Sequence, residues 1–192
     1  MANIQNGVNV DQLVATVGAI QANPELARFQ FRTESEWTGG GHSRARIKSF
    51  FGAGKEDSSR SAPFVVEGDE PPVLLGDNKA PNAVELVLAA LSSCLSVGFA
   101  YNAAAQGVTL DSLEFRIEGD VDLHGFLGLS ESVRPGFNNI RVTCRVSSRA
   151  APEKLQAIWE HVQKTSPVLD ICRNPVPVAL TLEQVQPANA AD

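Results

Sequence analysis

The chain has 192 residues, enough for one well-filled core and a small appendage. It carries 22 acidic against 16 basic residues, net −6, which argues against a surface that grips nucleic acid or an anionic membrane. Three cysteines without a CxxC or metal-ligand spacing point to reduced thiols in a cytoplasmic setting, not to a disulfide framework or a zinc site.

The opening MANIQNGVNVDQL has no basic n-region and no apolar h-region, so no secretory signal is expected. Val10, Leu13, Val14, Val17 and Ile20 recur at helical spacing and predict an amphipathic helix that Asn23-Pro24 ends. It is an accessory element occupying residues 1–25, ahead of a main domain at 26–186. Phe29, Phe31, Thr33, Ser35 and Trp37 then alternate with charged and polar residues, the pattern of a half-buried strand. Gly39-Gly40-Gly41 turns the chain into a second strand, Arg44 to Phe50, with Ala45 and Ile47 on one face and Arg44, Arg46 and Lys48 on the other. Those cations fit a solvated face paired to Glu34 and Glu36 across the hairpin, or a guanidinium aimed at a buried site. Residues 53–61 read as a polar loop and Pro63 to Glu67 as a short third strand. GDEPPVLLGDNKAP follows without clear periodicity, and loops of that length in a compact domain are often functional. Its Asp69 and Glu70 are either loop solubilisers or site carboxylates.

The dominant stretch is Pro81 to Ala105. Asn82 and Glu85 form a capping-box pattern, alanines and leucines carry the helix, and Gly107 follows its end. A helix apolar nearly all round is expected to be buried on all sides. Glu85, Ser92, Ser93, Ser96 and Asn102 and the lack of flanking cations disfavour a membrane span. Beyond it, Leu113, Phe115, Ile117, Gly119, Val121 and Leu123 predict a strand, HGFLGLSESVRPGF a glycine-rich connection, and Ile140, Val142, Cys144 and Val146 the inward face of another strand. Pro152 opens a helix whose apolar face is Leu155, Ile158, Trp159 and Val162, and Val176 to Val185 reads as a closing strand. The tail, 187–192, is expected to be disordered. The expected fold is α+β, with antiparallel sheets around a long buried central helix.

The pattern PxxxELxLAALxxCL at Pro81 to Leu95, with SPVLD at Ser166 to Asp170, resembles the OsmC/Ohr family. DEPPxLLGxxxAPN from Asp69, GDxDLxGFLGL from Gly119 and VRPGxxNIRV from Val133 resemble an uncharacterised OsmC-like branch of it. The resemblance covers roughly Phe29 to Gln184. It implies an intertwined homodimer, with the central helices inside and active sites at the subunit interface. It also implies thiol-dependent reduction of organic hydroperoxides: a helix thiolate attacks the peroxide, becomes a sulfenic acid and is resolved by a second cysteine, with arginine and glutamate assisting. Cys94 matches the attacking cysteine. Ser166 stands where the family carries the second cysteine, and Val84 where it carries the glutamate. Gly41 falls nearest the family arginine, leaving Arg44 and Arg46 as displaced candidates.

Other residues are candidates for the missing roles. Glu85 lies about 13.5 Å along the helix from Cys94 and on the far side, so it acts through a partner chain or serves as the cap. Cys172 is about 9 Å past Ser166 if that stretch is helical and about 20 Å if extended; it resolves Cys94 only if the chain folds back, because a disulfide needs alpha carbons within about 7 Å. Without it, an external thiol must reduce Cys94. Cys144, on an inward strand face, reads as packing. His42, His124 and His161 have no ligand spacing, and no metal or cofactor is expected. The alternative to an enzyme is a small-ligand-binding dimer in which Cys94 lines an apolar pocket.

Overall fold

The computed structural model describes residues 2–186, and the tail expected to be disordered, 187–192, lies outside the described residues. The chain opens with a small hairpin, β1 (Ile4–Gln5) and β2 (Val8–Asn9). Its two-residue turn is Asn6-Gly7, both at positive φ (51° and 75°), as a primed hairpin turn requires. That Asn-Gly signal went unread in the sequence. Asn9 then caps α1 (Val10–Ala22) by accepting from the Gln12 amide. Asn6 ties the hairpin to the middle of the chain, donating to the Val108 carbonyl and accepting from the Leu110 amide.

The next six strands form two small antiparallel sheets. β3 (Gln30–Phe31), β6 (Phe50–Gly52) and β7 (Lys55–Asp57) make one; β4 (Glu34–Gly39), β5 (His42–Ile47) and β8 (Phe64–Gly68) make the other. Two expected strands are thereby each split. Phe29, Phe31 and Phe50 cluster with ring centroids 5.5–6.3 Å apart, and this drives β3 and β6 into a sheet of their own. The stretch expected as a loop at 53–61 contains β7. Within this chain the strand expected to be half-buried is largely open, with Trp37 76% exposed.

The 69–82 segment is an ordered loop with a 3-10 turn at Pro72–Leu74. Asp69 is no solubiliser: it is 3% exposed, and its carboxylate accepts from the amides of Glu70 and Lys79. It clips the loop across its base.

Then comes α2 (Ala83–Ala105), whose capping box forms between Asn82 and Glu85. β9 (Ser112–Asp120) pairs antiparallel with β10 (Asn139–Ser147) over nine residues, from Ser112↔Ser147 to Asp120↔Asn139. α3 (Leu123–Phe126), α4 (Pro152–Thr165) and α5 (Pro167–Arg173) complete the described elements. The fold is α+β, as expected. Leu91, Leu95, Phe99 and Ala103 of α2 pack against Ile158 and Val162 of α4, Leu169 of α5 and the inward face of the β9–β10 sheet. Each large side chain so buried contributes roughly 1.5–3 kcal/mol.

Two expectations need correction. α2 is not buried on all sides within one chain: Val87, Val97 and Tyr101 are 41%, 50% and 46% exposed. Among the described residues, the chain wraps one face of the helix and leaves much of the other open. Nor is Val176 to Val185 a strand; it has no ladder partner among the described residues, and Leu180 and Leu182 are 90% and 96% exposed. Pro175 and Pro177 remove backbone donors where pairing would begin.

The Asp69 clip carries a pH signature. Hydrogen bonding by the Lys79 amide, opposed by burial, holds the Asp69 carboxyl below its usual range. A lowered folded value means the clip contributes above the ordinary carboxylate range, near pH 4, and fades as pH falls through the lower folded value. Amide protection across 69–82 is expected to collapse in that acid window, and Asp69→Asn is expected to loosen the loop at neutral pH, both read by hydrogen exchange.

Candidate functional site

Cys94 sits in the middle of α2, one residue before the buried Leu95, so its side chain lies at the margin between the packed and the open face. It is half-buried and free. Its Sγ lies 3.1 Å from Ser166 Oγ. Ser166 is the joint between α4 and α5 and is only 6% exposed. As the cap of α5 its Oγ accepts from the Leu169 amide. That leaves the hydroxyl a proton and a second lone pair for the sulfur, so Ser166 donates to a thiolate and either group can donate when Cys94 is a thiol.

Close helix packing sets this distance. A methyl group on Gly98 would meet Val162 Cγ1 at 3.2 Å, so glycine lets α4 approach α2 tightly. The Ser166 amide bonds back to the Val162 carbonyl at 2.9 Å, which swings Ser166 in over Cys94, one helical turn from Gly98. Cys94 and Ser166 open on a cleft of about 520 Å³ lined by Ala90, Ser93, Val97, Gly98, Thr165 and Pro167 among others, with no charged side chain.

The other candidate residues lie elsewhere in the chain. Arg44 Nε donates to Glu67 Oε1 at 2.8 Å across the β5–β8 pair. Arg46 donates to Glu36 Oε1 at 2.8 Å. The solvated, paired face is therefore what this chain shows on β5, with Glu67 rather than Glu34 as Arg44's main partner. His42 Nε2 lies 2.5 Å from Glu67 Oε2 without hydrogen-bond geometry, a contact that is ionic when the imidazole carries a proton. The hydrogen bond from Arg44 holds the Glu67 carboxyl below its usual range, against a smaller opposing effect of burial. Glu85 is occupied in the α2 cap. None of Arg44, Arg46 or Glu85 lines the Cys94 cleft within one chain.

Cys172 does not line that cleft either. It lines a separate cavity, and burial pushes its thiol, like that of Cys144, above the usual range. Among the described residues no group of three His, Cys, Asp or Glu side chains converges as a metal site. Two residues escaped the sequence reading. Glu67 was visible only as the end of a strand whose register was unknown. Ser166 looked like a lost cysteine and turns out to be the direct partner of Cys94.

A protein-family model described as OsmC-like protein matches residues 76–181, which takes in Cys94, Ser166 and Cys172. No curated protein matches the sequence. Among solved structures, an OsmC-like protein from Mycoplasma pneumoniae aligns with a TM-score of 0.57 at 12% identity, over 76% of this chain and 89% of that one. A proposed osmotic-stress-induced and detoxification-response protein from Psychrobacter arcticus 273-4 aligns at 0.54 and 14% identity, over 72% of this chain and 85% of that one. At such identities the likeness is one of fold.

The Cys94–Ser166 contact is close to disulfide reach, since a sulfur–sulfur bond of about 2.05 Å needs only a small inward shift. Ser166→Cys is expected to form a bridge between Cys94 and the introduced thiol under mild oxidation, seen by peptide mass spectrometry as a linked pair that reduction separates. The wild-type chain is expected to form no Cys94–Cys172 bridge under the same conditions.

Proposed function

The chain belongs to the family of OsmC-like proteins, and from that premise we propose that it reduces organic hydroperoxides with Cys94 as nucleophile, defending against oxidative stress. The observation that carries this reading is the 3.1 Å contact between Cys94 Sγ and the Ser166 hydroxyl at the floor of an apolar cleft. A thiolate, not a thiol, is the nucleophile, and a hydroxyl donating to sulfur favours the charged form. The apolar lining suits the organic part of the peroxide.

In the proposed reaction, the Cys94 thiolate attacks the terminal oxygen of ROOH. An S–O bond forms, the O–O bond breaks, and the alkoxide leaves with a proton as ROH. Cys94 is then a sulfenic acid. Ser166 cannot close a disulfide on it, and Cys172 faces another cavity. An external thiol therefore condenses with the sulfenic acid, releasing water, and a second thiol reduces the mixed disulfide. This makes the protein a one-cysteine reductase.

We infer that the working form is a homodimer. Two uncovered surfaces support this: the outer face of α2 beside Cys94, and the β4–β5–β8 sheet with its exposed Trp37 and Phe64. Apolar surface of this extent is normally covered by a partner. Laying the sheet of one copy over the α2 of the other would bring Arg44, oriented by Glu67, toward the partner's thiolate. Arg44 then takes precedence over Arg46 as the stabilising cation, and Glu85 keeps its cap.

The lack of a charged side chain in the cleft favours a second reading, in which the dimer binds a small apolar ligand and Cys94 only lines the site. One assay separates the two. Reduced wild-type protein with dithiothreitol is expected to consume cumene hydroperoxide, Cys94→Ser to fall to the background rate, and Cys172→Ser to remain as active as wild type. Dimedone is expected to trap a sulfenic acid at Cys94. Absence of turnover in the wild type, or full turnover in Cys94→Ser, would overturn the enzyme reading. With no cysteine to resolve it, Cys94 is also expected to over-oxidise at high peroxide, and Ser166→Cys to suppress the sulfinic product.

A further inference from the structure

A second cavity, of about 630 Å³, shares no lining residue with the Cys94 cleft and is reached by the C-terminal part of α5. Its floor is apolar, built from Leu91 and Leu95 of α2, Val142 of β10, Trp159 of α4 and Leu169 of α5. Its size falls within the range of small-molecule sites, roughly 300–1,000 Å³, and Asn138, Asn139 and Gln163 add polar groups to its wall. The charge on its rim is selective. Arg134 and Arg173 line it, and no aspartate or glutamate does, in a chain with 22 acidic residues. Many of the other arginines are taken up by carboxylates: Arg28, Arg32, Arg44, Arg46, Arg116 and Arg141 are all paired. Arg134 and Arg173 have no carboxylate partner among the described residues, as is also true of Arg60, Arg145 and Arg149, but the first two alone line a cavity without a carboxylate.

The wall that carries Arg134 is held in place by two close backbone approaches. A side chain at Gly119 would overlap the Phe137 ring, and one at Gly125 would meet the carbonyls of Val133 and Arg134 at 2.6 Å. Glycine at those positions lets β9 and α3 press against the 133–138 segment. The motif that begins at Val133 lines this cavity, and the one that begins at Gly119 packs behind it.

We propose that this cavity binds a small apolar molecule ending in a carboxylate, of the medium-chain fatty-acid class, with its chain against Val87, Val142 and Trp159 above the buried Leu91 and Leu95, and its carboxylate at the Arg134 and Arg173 rim. Guanidinium groups are suited to planar carboxylates by their fixed fork of donors. The site is separate from the Cys94 cleft and does not depend on peroxide reduction.

Trp159 and Cys172 both line the cavity and report on it. In full-length protein carrying Trp37→Phe, Trp159 is the sole tryptophan. Decanoate is expected to shift its emission saturably, with one site per chain, and decanol, which has the chain without the charge, to bind at least about tenfold more weakly. Arg134→Ala with Arg173→Ala is expected to weaken decanoate by a similar factor and leave decanol unchanged. Bound decanoate is expected to slow alkylation of Cys172 at pH 9, read by mass spectrometry. The titration is repeated in Cys94→Ser, where decanoate binding is expected to persist whether or not the wild type consumes peroxide. No saturable shift, equal binding of decanol, indifference to the arginine changes, or protection of Cys94 in place of Cys172 would each overturn the proposal.

Discussion

The packing of one stripe of α2, Leu91, Leu95, Phe99 and Ala103, against α4 and the β9–β10 sheet is the interaction on which the rest of the second half depends. The sheet is only two strands wide, and a lone pair of strands is marginal in water without a surface to pack on. α4 contributes Ile158 and Val162, both fully buried, and Trp159 bridges Phe99 and Phe115 with centroids 6.5 and 6.0 Å away. Removing the α2 stripe would take away the surface on which sheet and helices both pack, leaving contacts such as Trp159 on Phe115.

That stripe also determines where Cys94 sits. A helix presents its residues at 100° steps, so a neighbour of Leu95 necessarily lies at the edge of the packed face. Cys94 is that neighbour. The tight α2–α4 crossing at Gly98 then fixes how far Ser166 is from the sulfur. The thiol is thus supported from below by rigid packing and left accessible from the other side. The proposed nucleophilic role would draw on this arrangement, with the hydroxyl pre-positioned beside the sulfur.

The first half of the chain is organised by charge as much as by apolar contact. Arg44 and Arg46 face Glu67 and Glu36 on the β4–β5–β8 sheet, and Arg44 in turn is held more firmly protonated by its hydrogen bond to Glu67. Exposed pairs of this kind add little stability, about 0–1 kcal/mol each. Their effect is to hold the guanidinium groups in a defined direction. The same chain half leaves its aromatic residues Phe31, Trp37 and Phe64 open, so order comes from the ladder and the ion pairs while the apolar surface remains uncovered by this chain.

Much of this was legible locally. The capping box at Asn82 and Glu85, the central helix, the inward faces Leu113-Phe115-Ile117 and Ile140-Val142-Cys144, and the apolar face of α4 all follow from periodicities of 3.6 and 2, which neighbours along the chain encode by themselves. The Asn6-Gly7 hairpin was equally local and was simply overlooked. Other features depend on which distant segments meet. Periodicity cannot say that Phe29, Phe31 and Phe50 cluster and divide the first sheet, or that Asp69 turns inward to accept backbone amides. It cannot say that Val176 to Val185 finds no strand to pair with, or that a single chain covers only half of α2. The sequence by itself determined the α+β plan, the position of Cys94 on its helix and the family resemblance. Only the tertiary structure decided that Ser166 touches the thiol and that Cys172 lines an arginine-rimmed cavity apart from the Cys94 cleft, because those relations are set by how closely α4 and α5 approach α2 across more than seventy residues of chain.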